Sequence, residues 1–141
     1  MSVGFTGTQI GLTEKQSANL KEALKTLMRY SDFHHGDCIG ADAQAHEIAV
    51  SLNYRIILHP PSNSNKRAFC LADETRKPIG YLDRNTEIVK ETKILIACPK
   101  EMTEQLRSGT WSTVRRAKKF NRNILILFPD GSIKKEKKDD S

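Results

Sequence analysis

No apolar run in this chain approaches the roughly 20 residues needed to cross a bilayer, so no membrane-spanning helix is expected. Cysteine is scarce. Cys38, Cys70 and Cys98 are far apart with no C-x-x-C spacing, which excludes a disulfide framework and fits a reducing compartment. The opening Met1-Ser2-Val3-Gly4 has no basic stretch leading into an apolar segment, and a cytoplasmic location is expected. The fingerprint G-x-G-x-x-G is absent, which argues against a dinucleotide-dependent dehydrogenase. Aromatics are few. The nine present fall mostly at positions patterned for burial, leaving little for base stacking along a single strand. There is no internal repeat.

What is present suits one ordinary domain. The 141 residues can bury a core without staples, and 38% hydrophobic with 28% charged residues is globular composition. The net charge is +6. Residues 132–141 hold four lysines against three acids, so almost all of the excess lies in the body. A basic body attracts nucleotides or nucleic acid, although a mildly basic solvated surface gives the same figure.

The pattern predicts strands alternating with helices. Val3–Thr6 reads as a short buried strand ending in the turn Gly7-Thr8-Gln9. Thr13 and Gln16 form a capping box for a helix whose apolar face is Leu20, Leu24, Leu27 and Met28, ending near Arg29 or Tyr30. Asp32–His35 reads as a second strand. A second helix follows from Gly40, with a stripe of Ala41, Ala45, Ile48, Ala49 and Leu52 and a stop at Asn53. Tyr54–His59 is a third strand, closed by Pro60-Pro61. Residues 62–80 form a long polar loop, and loops of that length are usually functional or mobile. Tyr81–Glu91 is helical, Ile94–Ala97 a strand, Trp111–Phe120 the apolar side of a further helix, and Ile124–Phe128 a fifth strand. A charged, disordered tail is expected from residue 132 onward. The fold expected is α/β, a single Rossmann-like domain with a mostly parallel sheet of about five strands and helices on both faces.

In such a sheet, ligands bind beyond the carboxyl ends of the strands where strand order reverses. Gly7-Thr8-Gln9, Gly36-Asp37, His59-Pro60-Pro61 and the loop after Pro99 should therefore converge. The small-residue turn Arg107-Ser108-Gly109-Thr110-Trp111 opens a helix, where unpaired amides and the helix dipole favour an anion. Gly36, Asp37, Gly40 and Ala41 bracket another strand-to-helix turn. Asp37 is a candidate acceptor for ribose hydroxyls or a base amino group, and Asp42 is the weaker candidate; the alternative for both is that they cap the helix start. Lys66, Arg67, Arg84, Asn85 and Arg107 are candidate phosphate or ribose contacts. Pro60 lies at the rim. Tyr81 and Trp111 offer faces for a base, although Trp111 also falls on its helix's buried stripe. His34, His35, Cys38 and His46 raise the question of a metal. Adjacent residues of a strand point to opposite faces, so His34 and His35 do not share an ion, and neither metal nor cofactor is expected.

These motifs together resemble the SLOG superfamily, Rossmann-like domains related to the LOG phosphoribohydrolases and the DprA DNA-processing proteins. The likeness rests on Gly4-Phe5-Thr6-Gly7-Thr8, His35-Gly36-Asp37-Cys38-Ile39-Gly40-Ala41-Asp42, His59-Pro60-Pro61, Lys66-Arg67-Ala68, Arg84-Asn85 and Arg107-Ser108-Gly109-Thr110, and spans about residues 2–131. It implies a nucleotide-type site at the strand ends. Arg107-Ser108-Gly109-Thr110 with Thr113 is similar to the R-S-G-[ST]-x-x-T segment of DprA proteins. The hydrolase form of this loop, P-G-G-x-G-T-x-x-E, carries a glutamate that serves the reaction. Here Trp111, Ser112 and Thr113 follow Gly109-Thr110, and no glutamate stands among them. Other members sense ADP-ribose-derived signals. The expectation is thus a small-molecule nucleotide derivative, best taken as an ADP-ribose-type or cyclic nucleotide signal, bound without catalysis by a homo-oligomer. Hydrolysis of an N-glycosidic or phosphoanhydride bond, with Asp37 or Glu104 as base, is the first alternative. Single-stranded nucleic-acid binding is the second.

Overall fold

The structure is a computed structural model that describes residues 2–29 and 32–139. In chain order it contains β1 (Ser2–Gly7), α1 (Glu14–Thr26), β2 (Asp32–His35), α2 (Ala41–Ser51), β3 (Arg55–Leu58), a short 3-10 turn (Ser64–Lys66), β4 (Glu74–Thr75), α3 (Tyr81–Glu91), β5 (Ile94–Cys98), α4 (Gly109–Lys119), β6 (Asn123–Leu127) and β7 (Ile133–Glu136). The strands make one sheet in the order β4-β3-β2-β1-β5-β6-β7. All pairs are parallel except β6 with β7. Among the described residues, no helix is long and apolar enough to cross a membrane.

The α/β class, the mostly parallel sheet and the helices on both faces match the sequence expectation. The strand count is seven, not five. β4 is two residues of a polar loop and has no apolar run to announce it. β7 replaces a segment expected to be disordered. Ile133-Lys134-Lys135-Glu136 pairs antiparallel with β6, Leu127 opposite Ile133 through Ile124 opposite Glu136. Its lysines had marked it as a solvated tail, yet lysine is also how an edge strand discourages further pairing. Asp140 and Ser141, at the end of that expected tail, lie outside the described residues.

β5 and β6 feed two cores because successive side chains alternate between faces. Along β5, Ile96 and Cys98 join Phe5, Phe33, Leu20, Leu24, Ala45 and Ala49 under α1 and α2. Leu95 and Ala97 join Ile88, Val89, Trp111, Val114 and Ala117 under α3 and α4. The alanine stripe of α2 brings that helix close to the sheet. A Cβ on Gly7 would lie 2.6 Å from the Ala41 Cβ, so β1 and α2 touch at a point that admits no extra methyl. Gly40, which caps α2 with φ 92°, would place a Cβ 2.2 Å from the carbonyl oxygen of Gln9. The α1 face is shorter than its sequence pattern. The helix ends at Thr26, Leu27 caps it, and Met28 is exposed. Arg29 lies beyond the helix, and Tyr30, the other expected end, is outside the described residues. Asn53, at φ 66°, closes α2 as expected.

The capping box of α1 is present: Thr13 Oγ1 accepts from Gln16 N–H at 3.1 Å, and Gln16 Oε1 accepts from Thr13 N–H at 3.0 Å. Gln16 does more than cap. Its Nε2 donates to the carbonyls of Pro99 (2.7 Å) and Leu127 (2.9 Å), tying the ends of β5 and β6 to the start of α1 while fully buried. A capping box accepts glutamate as readily as glutamine. The buried carbonyls do not, because a carboxylate has no proton to give them. Gln16→Glu is therefore expected to cost about 2–4 kcal/mol, the scale of buried acceptors left without a donor. Urea denaturation checks this against Gln16→Ala, and an unchanged midpoint for the glutamate variant would contradict it.

Candidate functional site

β1 pairs in parallel with β2 on one side and β5 on the other, so strand order reverses between β1 and β5. A cavity of about 610 Å³ opens over the carboxyl ends of these strands. Thr8, Gln9 and Ile10 wall it from the loop after β1, Gly36 and Cys38 from the loop after β2, and Pro61, Ser62, Asn63 and Lys66 from the loop after β3. Lys100, Glu101 and Arg107 approach from the loop after β5. The first turns of α3 and α4 complete it with Tyr81, Arg84, Asn85, Ser108, Gly109 and Thr110. The volume is that of an ordinary small-molecule site.

Of the residues singled out in the sequence, Gly7, Thr8, Gln9, Gly36, Lys66, Tyr81, Arg84, Asn85, Arg107, Ser108, Gly109 and Thr110 line this cavity. Asp37, Gly40, Ala41, Pro60, Arg67 and Trp111 do not line it. For Asp37, Arg67, Ala41 and Trp111 the reasons are internal bonds. The Asp37 carboxylate is wholly buried and accepts from Arg67 Nε–H (2.7 Å) and Cys70 N–H (2.9 Å). The two residues expected to hold a ligand hold each other, and that pair folds the long loop back against the end of β2. Ala41 N–H donates to the Thr8 carbonyl at 3.0 Å, so Gly40 and Ala41 support the β1 loop from beneath. Trp111 is 4% exposed in the α3–α4 core, and its indole N–H donates to Glu101 Oε1 at 3.1 Å. Glu104, the other base of the hydrolytic alternative, pairs with Arg115 at 2.9 Å and does not line the cavity.

Asp42 takes the place expected for Asp37. It lines the cavity, its Oδ2 accepts from Cys38 N–H at 3.1 Å, and it was legible in the sequence only as the weaker candidate. Lys100 and Glu101 belong to the loop after Pro99, which was expected to converge here, but nothing in the local pattern separated them from surface charge. Ser62 and Asn63 carried no signal of their own.

The electrostatics follow from burial. Arg84 is nearly inaccessible. Its Nη1–H groups donate to the carbonyls of Gly36 (2.7 Å) and His59 (3.3 Å), and Nε–H donates to Asn85 Oδ1 (2.9 Å). It therefore clamps the loops after β2 and β3 and brings positive charge to the floor. Burial raises the Asp42 carboxyl to about 6, with the Arg84 charge opposing the rise. Burial also raises the Cys38 thiol, so it stays protonated near neutrality. At the start of α4, Ser108 Oγ accepts the Trp111 N–H at 3.2 Å. Helix geometry leaves the Gly109 and Thr110 amides with no carbonyl a turn behind them, and both residues border the cavity. Gly80, which caps α3, makes no side-chain bond to that helix's first amides. Two helix starts thus meet Lys66, Lys100, Arg84 and Arg107 around one hollow, an arrangement able to hold phosphate oxygens.

The histidines divide by face. His34 Nδ1 lies 2.7 Å from His59 Nε2 on the α3 side, and His35 Nε2 lies 3.1 Å from His46 Nδ1 on the α2 side. His34 and His35 do not share a partner, as strand alternation requires.

No family model matches this chain, and no curated protein matches its sequence. Solved structures resemble it through their fold. A molybdenum cofactor binding protein from the phototrophic bacterium Rippkaea orientalis superposes with a TM-score of 0.70 over 90% of this chain and 76% of its own, at 22% identity. DNA processing protein A (DprA) from Streptococcus pneumoniae gives 0.66 over 89% of this chain at 16% identity, and this chain spans about half (49%) of that protein. DNA processing protein A from Helicobacter pylori, described for its single-stranded DNA binding mode, gives 0.61 over 90% of this chain and 65% of its own, at 18% identity. With its sheet order and its cleft at the strand reversal, the chain shares the Rossmann-like fold of these neighbours.

Proposed function

We propose that this protein binds a phosphorylated nucleotide derivative, with ADP-ribose-type molecules as the preferred class, and acts on it as a sensor or sequestering protein without cleaving it. The observation that carries this reading is the meeting of the α3 and α4 starts with Lys66, Lys100 and Arg107 in one hollow at the strand reversal. Two such helix starts suit a ligand with more than one phosphate. Tyr81 is half exposed at the rim beside Gly109, where a base or ribose face can rest against it. Three of the carboxylates around the cleft are engaged by other residues, and Asp42, raised to about 6, is the one through which cleavage would have to run. Asp37 is consumed by Arg67 and Cys70, Glu104 by Arg115, and Glu101 by the Trp111 indole. The homo-oligomer implied by the resemblance is part of this proposal, and sedimentation showing only a 15.9 kDa species would remove it.

A second reading, single-stranded nucleic acid, is favoured by the net charge of +6 and by the two DNA-processing proteins that share the fold. Affinity that collapses with added salt would support it, because counterion release dominates such binding.

Calorimetry with ADP-ribose, cyclic ADP-ribose isomers, NAD and mononucleotides tests the first reading, and chromatography of the recovered ligand tests for cleavage. At least one ligand is expected to bind and return intact. Silence across the panel, with an oligonucleotide shift at low salt, would favour the second. Arg107 is exposed and borders the cavity, so Arg107→Ala is expected to weaken the binding ligand about tenfold or more, the scale of a charge-assisted hydrogen bond, with an unchanged melting temperature.

Asp42 gives the cleft a pH dependence whose sign is fixed. Its carboxyl is raised to about 6, so lowering the pH through that value neutralises a negative charge facing the ligand. The affinity for an anion is expected to rise as pH falls from 7.5 toward 5.5, by roughly fivefold for a charge interaction of about 1 kcal/mol. A pyrophosphate diester has no titrating group in that window. Asp42→Asn should bind as tightly at pH 7.5 as wild type does at pH 5.5, and calorimetry at both values checks it.

A further inference from the structure

On the α3 face of the sheet, away from the cleft lining, His34 of β2, His59 just after β3 and Glu91 at the end of α3 bring three donor atoms together. His34 Nδ1 and His59 Nε2 are 2.7 Å apart, and Glu91 Oε1 lies 4.0 Å from the first and 3.9 Å from the second. The three atoms surround one point, and an ion about 2.1 Å from each, the length of a zinc–nitrogen or zinc–carboxylate bond, fits once the two imidazoles part by roughly half an ångström. We propose that His34, His59 and Glu91 bind one divalent ion of the zinc class, with Glu87 as the outer partner that orients His59.

Glu87 Oε1 lies 2.5 Å from His59 Nδ1, so that nitrogen donates its proton to the carboxylate and His59 Nε2 accepts from His34 Nδ1–H at 2.7 Å. One shared proton therefore joins the two ligand nitrogens, and an ion of the zinc class binds by displacing it to solvent. A carboxylate behind a ligating histidine is the usual outer arrangement of zinc sites. Both imidazoles are buried, with side-chain exposures of 4% and 0%, while Glu91 is 31% exposed and leaves one side open to water and to an entering ion. Arg76 donates to Glu91 Oε1 from Nε (3.1 Å) and Nη2 (2.9 Å) and holds that oxygen in place from the solvent side.

The second histidine pair differs in its third donor. Asp37 N–H donates to His35 Nδ1 at 2.9 Å, which puts the His35 proton on Nε2, the atom that faces His46 and Cys70. That group has a thiol and no carboxylate beside its imidazoles. Two nitrogens and one carboxylate oxygen, with no thiolate, suit Zn²⁺ or Co²⁺ over softer ions. The site also touches the cleft wall, since the His59 carbonyl accepts from Arg84 Nη1.

Cobalt provides a probe with its own signature. The full chain, stripped with chelator and kept reduced, is titrated with Co²⁺ and then with Zn²⁺ in competition. The expected result is one equivalent of four-coordinate cobalt with visible ligand-field bands and no sulfur-to-cobalt charge transfer, displaced by zinc. Glu91→Gln, at the exposed rim, should weaken binding tenfold or more with its fold intact by circular dichroism. Glu87→Gln should weaken it by about 10- to 100-fold, as outer partners do. Cys70→Ser should bind as wild type does. Wild type that shows no more ligand-field absorption than Glu91→Gln, a thiolate band, or loss of binding in Cys70→Ser would each overturn the proposal.

Discussion

Parallel pairing of β1 with β2 on one side and β5 on the other governs the whole molecule. Parallel neighbours cannot be joined by a tight turn, so the crossings from β1 to β2, β2 to β3 and β5 to β6 each travel over a face of the sheet through a helix and bring the chain back to the same end of the strands. The chain therefore delivers the loops after β1, β2, β3 and β5 to one rim. Between β1 and β5 the crossings diverge to opposite faces, and the gap they leave becomes the cleft. The close approach of α2 to β1 at Gly7 and Gly40 sets the height of the first wall, and Arg84 sets the second by joining the loops after β2 and β3.

Charge in this protein is spent unevenly between structure and site. Asp37 and Arg67 meet in the interior and organise the long loop, whereas Lys66, one residue away, borders the cleft. Glu101 anchors the Trp111 indole from the cavity side and Glu104 is tied to Arg115. What remains around the hollow is an excess of cations over carboxylates, with the Asp42 carboxyl already raised toward neutrality by burial. That excess of positive charge is what the proposed binding of an anionic ligand rests on.

The face-by-face alternation of β2 has a chemical consequence. It sends His34 toward α3 and its carboxylates, and His35 toward α2 and the backbone amide of Asp37. Two adjacent residues of one type thus acquire different tautomers from their surroundings, with the proton on Nδ1 of His34 and on Nε2 of His35.

Much of the architecture was legible before any coordinates. The alternating apolar runs, the Thr13–Gln16 box, the alanine stripe of α2 and the bounds of α3 are patterns of a few residues, set by helical and strand periodicity. So was the convergence of the loops on one rim, which follows from parallel topology. β4 and β7 were not legible, because two polar residues and a lysine-rich edge become strands only where a neighbour offers unpaired backbone groups. Nor was the choice between Asp37 and Asp42, or the turning of Trp111 into the core. A side chain's type and local spacing determine what it can bond, and those are written in the chain. Which partner it meets depends on residues such as Arg67 and Cys70, 30 and 33 positions away, and only the packed structure brings them within reach.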